Sequence, residues 1–233
     1  MSFAVSLLVS VALATLFQKP LKKIPTVFYA IAVLMCLAAI YLTWNPSPYQ
    51  WARLIVFAIQ KGQVGFSLFI LVMFIGVFSK RSTIRRYFTP IRAQLSILAS
   101  IFIVSHFIPY LFNYLTLITS LFSYKTNISV GFITGIILLL LLIPLAITSF
   151  NVIRKKMNAG TWKALQRWSY VFIILAYIHA VCFLLVPATG NSDIAMITNI
   201  ILYSVIMAAY GILRFRRKII DKKEALPQNT VAN

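Results

Sequence analysis

Apolar stretches separated by short polar gaps are the dominant pattern of this 233-residue chain. At about 1.5 Å per residue, a helix of about 20 residues crosses a hydrocarbon core of about 30 Å. The stretches are residues 2–17, 27–44, 65–78, 95–112 (extending toward 122), 130–153, 168–186 and 194–213. The first and third are short for a membrane pass, whereas the others are long enough. The pattern predicts an all-α polytopic bundle of about seven transmembrane helices.

Basic residues fall in the gaps between these stretches and alternate between two sides. When alternate gaps are assigned to opposite faces of the membrane, 19 of the 22 lysines and arginines lie on one face and 3 on the other. Because lysine and arginine accumulate on the cytoplasmic side of membrane proteins, the N-terminus is predicted outside and the C-terminus inside.

Three segments follow from this organisation. Residues 1–26 are expected to form an additional N-terminal transmembrane helix and a basic loop, residues 27–218 the main helical domain, and residues 219–233 a disordered cytoplasmic tail. The first stretch could also be a cleaved signal peptide. Its lysines follow the apolar run rather than precede it, so a retained helix is favoured.

Composition excludes several classes of function. The chain is 61% hydrophobic and 11% charged, and its net charge is +19. Its basic residues lie in short clusters between apolar runs, and no gap is large enough for a nucleic-acid-binding domain, so lipid and not nucleic acid is the expected partner. The two cysteines form no CxxC or CxxCH motif, which leaves zinc ribbons, iron–sulfur clusters and covalent haem attachment unsupported.

The only two histidines lie inside predicted membrane helices. His106 follows Arg92 by 14 positions and His179 follows Arg167 by 12, so both imidazoles should lie about 18–21 Å above the same membrane face. The predicted topology makes the two helices parallel and puts both histidines in the outer half of the membrane. A matched pair of this kind can bind one flat metal cofactor from both sides, which predicts a single b-type haem. A proton relay or a bare metal ion bound by the same pair is the alternative.

Two stretches of sequence carry a resemblance to a known family. The first stretch is residues 145–180, with the sequence LAITSFNVIRKKMNAGTWKALQRWSYVFIILAYIHA. It contains Thr-Ser, a basic cluster, Trp-Lys-x-Leu and an aromatic residue before His179. The second stretch is residues 92–111, with the sequence RAQLSILASIFIVSHFIPYL. Its motif residues are Arg92, Leu95, His106 and Tyr110. From residue 65 onward the chain resembles the ferric reductase-like transmembrane domain family. That family includes the haem-binding membrane subunit of the bacterial methionine sulfoxide reductase system, the six-transmembrane metalloreductases and the NADPH oxidases.

The resemblance implies a six-helix haem-binding core within residues 27–218, preceded by one extra helix. It also implies that His106 and His179 are the axial iron ligands of an outer haem. Two-haem members carry a second histidine 13 residues before the later ligand, and here that position is Gln166. The equivalent position on the earlier helix is Arg92. The resemblance therefore implies a one-haem member.

A single outer haem would lie about 20 Å from the cytoplasmic face, so a mediator is expected on that side. In the metalloreductase relatives this role belongs to a flavin, and in the sulfoxide reductase relatives quinone and flavin are both candidates, so the resemblance implies FMN, FAD or quinone. Arg92, Arg167 and Gln166 are expected at the inner boundary and are candidates to bind phosphate or carboxylate groups of a cofactor. Ordinary positive-inside charge accounts for such residues equally well.

Electron transfer is the function that these features favour. The chain has no GxGxxG motif, no P-loop and no catalytic constellation, so it is expected to be the haem-binding subunit of an oxidoreductase system. Its donor would be a cytoplasmic flavoprotein or quinol, and its acceptor an extracytoplasmic reductase or flavoprotein. Composition suggests a bacterial plasma membrane.

Two other functions compete with electron transfer to a protein. The first is direct reduction of ferric or cupric ions at the outer haem edge. The second, from another class, is a non-haem transporter or assembly factor. The chain shows no internal repeat and no intramembrane carboxylate that could couple ion movement, which counts against a transporter.

Overall fold

The computed structural model describes residues 3–115, 126–190 and 193–225. Every regular element in these ranges is helical. The α-helices are α1 (Phe3–Leu16), α2 (Gln18–Lys23), α3 (Pro25–Trp44), α4 (Gln50–Gln60), α5 (Gln63–Ile75), α6 (Thr83–Phe88), α7 (Arg92–Leu115), α8 (Thr126–Ile147), α9 (Asn151–Lys156), α10 (Ala159–Gln166), α11 (Trp168–Gly190) and α12 (Ile194–Ala225). A 3₁₀ turn, Thr89–Ile91, joins α6 to α7.

The prediction of a multi-pass helical membrane protein is confirmed. Within the described ranges, 5 helical spans are long and apolar enough to cross a membrane, or 6 if the bent pair α4–α5 is counted as one span. Helix α1 is apolar but has only 14 residues. The count of seven passes and the N-outside orientation therefore stay predictions.

A break between α4 and α5 changes the picture of the third apolar stretch. Residues 45–64, which the hydropathy pattern treats as a connection, contain the whole of α4. The axes of α4 and α5 differ by 48°, and the bend occurs at Gly62, whose φ of 68° lies in the left-handed region that favours glycine. The short third stretch is thus the second half of a broken helix.

Helix α1 packs against α5. At its first residue, the Phe3 backbone N–H donates to Asn199 Oδ1 of α12 at 3.3 Å. Near its other end, the Tyr87 hydroxyl between α5 and α7 donates to the Thr15 carbonyl at 2.8 Å. The extra N-terminal helix is therefore an integral part of the bundle.

The long helices pack as two groups that meet along an aromatic seam. In one group α7 contacts α3 and α5, and α5 contacts α1; in the other, α11 contacts α8 and α12. Three ring pairs join α5 to α11 and α12, with centroids 5.0–5.5 Å apart: Phe66–Tyr203, Phe69–Phe172 and Phe74–Tyr210. Aromatic pairs at such distances contribute packing energy beyond the area they bury. The seam leaves a cavity between α7 and α11.

Two predicted helix ends differ from the structure. Helix α8 ends at Ile147 and not at residue 153, and the Thr148 hydroxyl donates back to the Pro144 carbonyl at 2.6 Å. Helix α12 continues to Ala225, so residues 219–225 of the tail that we expected to be disordered are helical. The Arg217–Asp221 ion pair, four residues apart, supports this extension. The extension of the fourth stretch toward 122 and the tail from residue 226 lie outside the described residues.

Gly65 allows α5 to approach α7 closely. A Cβ atom at this position would lie 2.7 Å from Ile103 Cγ1 and 3.1 Å from the Ala99 carbonyl oxygen. We expect Gly65→Val to destabilise the bundle by about 1–3 kcal/mol through overpacking, seen as a lower melting temperature of the detergent-purified protein. Gly211→Val is the matched control, because no heavy atom lies within 4 Å of a Cβ atom added there. Equal melting temperatures for wild type and Gly65→Val would contradict this packing.

Candidate functional site

The structure brings the two predicted histidines to the walls of one cavity. The cavity has a volume of about 390 Å³ and lies among α5, α7, α8, α11 and α12. Most of its lining is aromatic or aliphatic, including Phe69, Phe132 and Phe172. The imidazole rings of His106 and His179 have centroids 6.2 Å apart and planes at 88° to one another.

This separation is compatible with a shared metal. A metal–imidazole bond is about 2.0 Å and a ring nitrogen lies about 1.1 Å from the ring centre, so one ion between two rings separates their centroids by about 6.2 Å. The described residues contain no group of three or more His, Cys, Asp or Glu side chains that could bind a metal ion. Two nitrogens alone suit a metal that brings its other ligands with it, as haem iron does.

Backbone carbonyls fix the orientation of both imidazoles. His106 Nδ1 is hydrogen-bonded to the carbonyl of Gln60, and His179 Nδ1 to the carbonyl of Gly131 at 2.8 Å. A carbonyl oxygen can only accept a hydrogen bond, so each Nδ1 carries a proton. In a neutral imidazole the lone pair is then on Nε2. Such a hydrogen bond is the usual way of orienting a metal-binding histidine.

Both carbonyls belong to helices that pack beside the histidine helices. Gln60 is the last residue of α4, and carbonyls in the last turn of a helix lack a partner within that helix. The break between α4 and α5 thereby supplies the acceptor for His106. Gly131 lies in the first turns of α8, and its carbonyl also accepts a hydrogen bond from the Thr134 hydroxyl at 2.8 Å.

A glycine lies against each imidazole. A Cβ atom at Gly62 would lie 3.3 Å from His106 Cγ, and one at Gly135 would lie 3.0 Å from His179 Cε1. A larger residue at either position would therefore require the neighbouring ring to shift by a few tenths of an ångström. Sequence reasoning missed these glycines, although the Gly131–Gly135 spacing in α8 is the small-xxx-small pattern typical of close helix packing. It also missed Gln60, which acts through its backbone and so leaves no side-chain signal.

The three predicted inner residues lie away from this cavity. None of Arg92, Gln166 and Arg167 lines it. Gln166 donates to the Thr148 hydroxyl at 3.0 Å and so ties α10 to the end of α8, while Arg167 is exposed between α10 and α11.

Arg92 belongs to a different group of basic residues. As the first residue of α7, it interacts electrostatically with Arg85 and Arg214 and with two tyrosines. Arg214 in turn lies 5.3 Å from the ring centre of Tyr170. The structure therefore groups Arg92 with arginines of α6 and α12. Sequence reasoning placed Arg214 on the same side of the membrane but did not bring it to this group.

Comparison with known proteins identifies a family and one relative. Residues 61–177 match the family described as "Ferric reductase like transmembrane component". The matched region includes His106 and ends two residues before His179. A protein of Treponema pallidum (strain Nichols), described as "Uncharacterized protein", is 30% identical over 228 residues, which cover 97% of this chain and 63% of that protein. The chain thus spans less than two thirds of the relative's length. No solved structure matches the chain at a significant level.

The tautomer of the two histidines can be measured directly. We expect ¹⁵N chemical shifts of the histidine-labelled, haem-free protein to report a neutral ring protonated at Nδ1 for both residues, because each Nδ1 donates to a carbonyl. The assignment is simple, since the chain contains only 2 histidines. A ring protonated at Nε2 would show that the corresponding carbonyl contact is absent.

Proposed function

The chain belongs to the ferric reductase-like transmembrane family, and from this premise we propose that it is an electron-transfer protein that binds one b-type haem between His106 and His179. The observation that carries the proposal is the arrangement of the two rings in a common cavity. Their centroids are 6.2 Å apart, and their Nδ1 atoms are occupied by backbone carbonyls, which leaves both Nε2 atoms available to a metal.

The protein's part in this function is to orient ligands and exclude water. When bound, a haem with two imidazole ligands supplies a one-electron ferric/ferrous couple suited to electron transfer rather than to oxygen binding. The carbonyls of Gln60 and Gly131 fix the imidazoles, and the glycines beside them leave room for the rings. Phe69, Phe132 and Phe172 make the cavity wall apolar, which lowers the access of water to the site.

A second haem on the inner side is not part of this proposal. At the position where two-haem relatives carry the inner histidine, Gln166 forms a hydrogen bond to Thr148. The position 14 residues before His106 is Arg92, and its charge and its arginine neighbours do not suit an iron ligand.

We further propose that electrons reach the haem from the cytoplasmic side and leave on the outer side. The donor would be a flavoprotein or quinol, with FMN, FAD or quinone as mediator, and the acceptor an extracytoplasmic reductase or flavoprotein. Arg92 with its arginine neighbours, and more weakly Arg167 and Gln166, would bind anionic groups of the mediator. The same proposal includes seven transmembrane passes, an N-terminus on the outer side and a location in a bacterial plasma membrane.

Direct reduction of a chelated metal ion is a second candidate, favoured by one observation. A further cavity of about 410 Å³ lies among α3, α4 and α7 and shares Phe57, Lys61 and Tyr110 with the histidine cavity. Arg53 also lines it. A small anionic chelate could therefore approach His106 without a partner protein.

Removal of either histidine tests the haem proposal. We expect the reduced-minus-oxidised spectrum of membranes containing the protein to show the Soret and α bands of a b-type haem, and His106→Ala and His179→Ala each to abolish them. Tyr177→Phe is the matched control, because Tyr177 lies on α11 beside His179 but bonds to Ser204 at 2.8 Å. An unchanged spectrum in either alanine variant would remove that histidine as a ligand.

The amount of haem per chain tests the one-haem proposal. We expect the purified protein to contain about one haem per polypeptide, measured as pyridine haemochrome against quantified protein, because only one histidine pair is available. A value near two would require ligands other than histidine on the inner side and would contradict this proposal.

A further inference from the structure

Two amide side chains interrupt the apolar lining of the histidine cavity. Gln63 lies in the first turn of α5 and Asn199 in the second turn of α12, and both line the cavity. Both are buried, with exposed fractions of 8% and 9%. Buried polar groups normally have hydrogen-bond partners, so the partners of these amides indicate their role.

Helix α1 provides the partner of each amide carbonyl. The Phe3 backbone N–H donates to Asn199 Oδ1 at 3.3 Å, and the Ser6 hydroxyl donates to Gln63 Oε1 at 3.2 Å. A backbone N–H can only donate, which fixes the orientation of the Asn199 amide. With both carbonyls occupied by α1, the NH₂ groups Asn199 Nδ2 and Gln63 Nε2 are left as donors.

These two NH₂ groups have no hydrogen-bond partner among the described residues. Hydrogen bonds between helices therefore explain why the two amide carbonyls are buried, but they do not explain the two NH₂ groups. Lys61, which carries a positive charge, also lines the cavity, and among the described residues no aspartate or glutamate does. Donors and positive charge without an acidic residue suit an anionic ligand group that accepts hydrogen bonds, such as a carboxylate.

We propose that Gln63, Asn199 and Lys61 form a carboxylate-binding edge of the cavity, and that α1 is the element that orients it. This inference rests on the proposed function, in which the ligand is a tetrapyrrole with propionate side chains. It also gives a role to α1, which lies outside the residues 61–177 that match the family. Phe3 reinforces the arrangement, because its ring lies 4.2 Å from that of Tyr203, another residue of the cavity wall.

The experiment compares haem b with haem b dimethyl ester, in which both carboxylates are capped and the iron is unchanged. The full-length chain is purified without haem and titrated with each compound, and binding is followed by the Soret absorbance. We expect wild type to bind the free acid at least about tenfold more tightly than the ester, since each charge-assisted hydrogen bond contributes to that preference. Gln63→Leu and Asn199→Leu should each reduce the preference, and the double variant should reduce it further, to the part that Lys61 contributes.

Affinity for the ester serves as the folding control, because it does not depend on the carboxylates. A variant that binds the ester as tightly as wild type but no longer prefers the free acid is still folded and has lost only the carboxylate-binding edge. Equal affinity of wild type for the two compounds would overturn this inference while leaving the haem proposal standing. Failure of wild type to bind either compound would overturn the haem proposal itself.

The role of α1 is tested with two matched pairs of variants. Ser6→Ala removes the donor to Gln63, whereas Ser10→Ala removes a buried hydroxyl on the same helix face that has no contact with the cavity. Phe3→Pro removes the backbone N–H in the first turn, where proline is tolerated, and Phe3→Ala removes the ring but keeps the N–H. We expect Ser6→Ala and Phe3→Pro to lower the free-acid preference several-fold more than their controls. Equal effects within both pairs would show that α1 does not orient the amides.

Discussion

Two hydrogen bonds from imidazole Nδ1 atoms to backbone carbonyls fix the geometry on which the candidate site depends. The carbonyls of Gln60 and Gly131 belong to helices beside the histidine helices, so the site requires those helices to lie at the correct height and distance. The α4–α5 break provides one carbonyl and the first turns of α8 provide the other. Because a carbonyl only accepts, both neutral rings carry their lone pair on the same nitrogen, Nε2.

The cavity exists because some helices of the two groups are in contact while others are held apart. Aromatic pairs between α5 and the helices α11 and α12 join the two groups of helices, whereas α7 and α11 stay far enough apart for their rings to lie 6.2 Å from centre to centre. Glycines bring the neighbouring backbones close to the rings. Helix α1 forms hydrogen bonds to Gln63 of α5 and Asn199 of α12, two residues of the cavity wall. Residues far apart in the chain thus define one space.

Sequence reasoning found the histidine pair because depth in a membrane can be counted from the nearest basic residue. It also found the helical passes, whose hydropathy is unambiguous, and the structure brings the pair to one cavity. It could not find the Gln60 carbonyl, since a backbone acceptor is independent of the side chain at that position. Nor could it place Arg92 beside Arg214, because those residues are 122 positions apart and their approach depends on how α7 and α12 pack.

The use of backbone acceptors has a consequence for how this site can vary through evolution. Substitution at position 60 changes a side chain but leaves the acceptor of His106 in place, so alignments of distant homologues need not preserve glutamine there. Positions 62 and 135 are different, because a Cβ atom there would lie only 3.3 Å and 3.0 Å from the imidazoles, and the rings would have to shift to accommodate it. Glycine at these two positions, more than any polar residue around the histidines, is the trace by which the same arrangement could be recognised in diverged sequences.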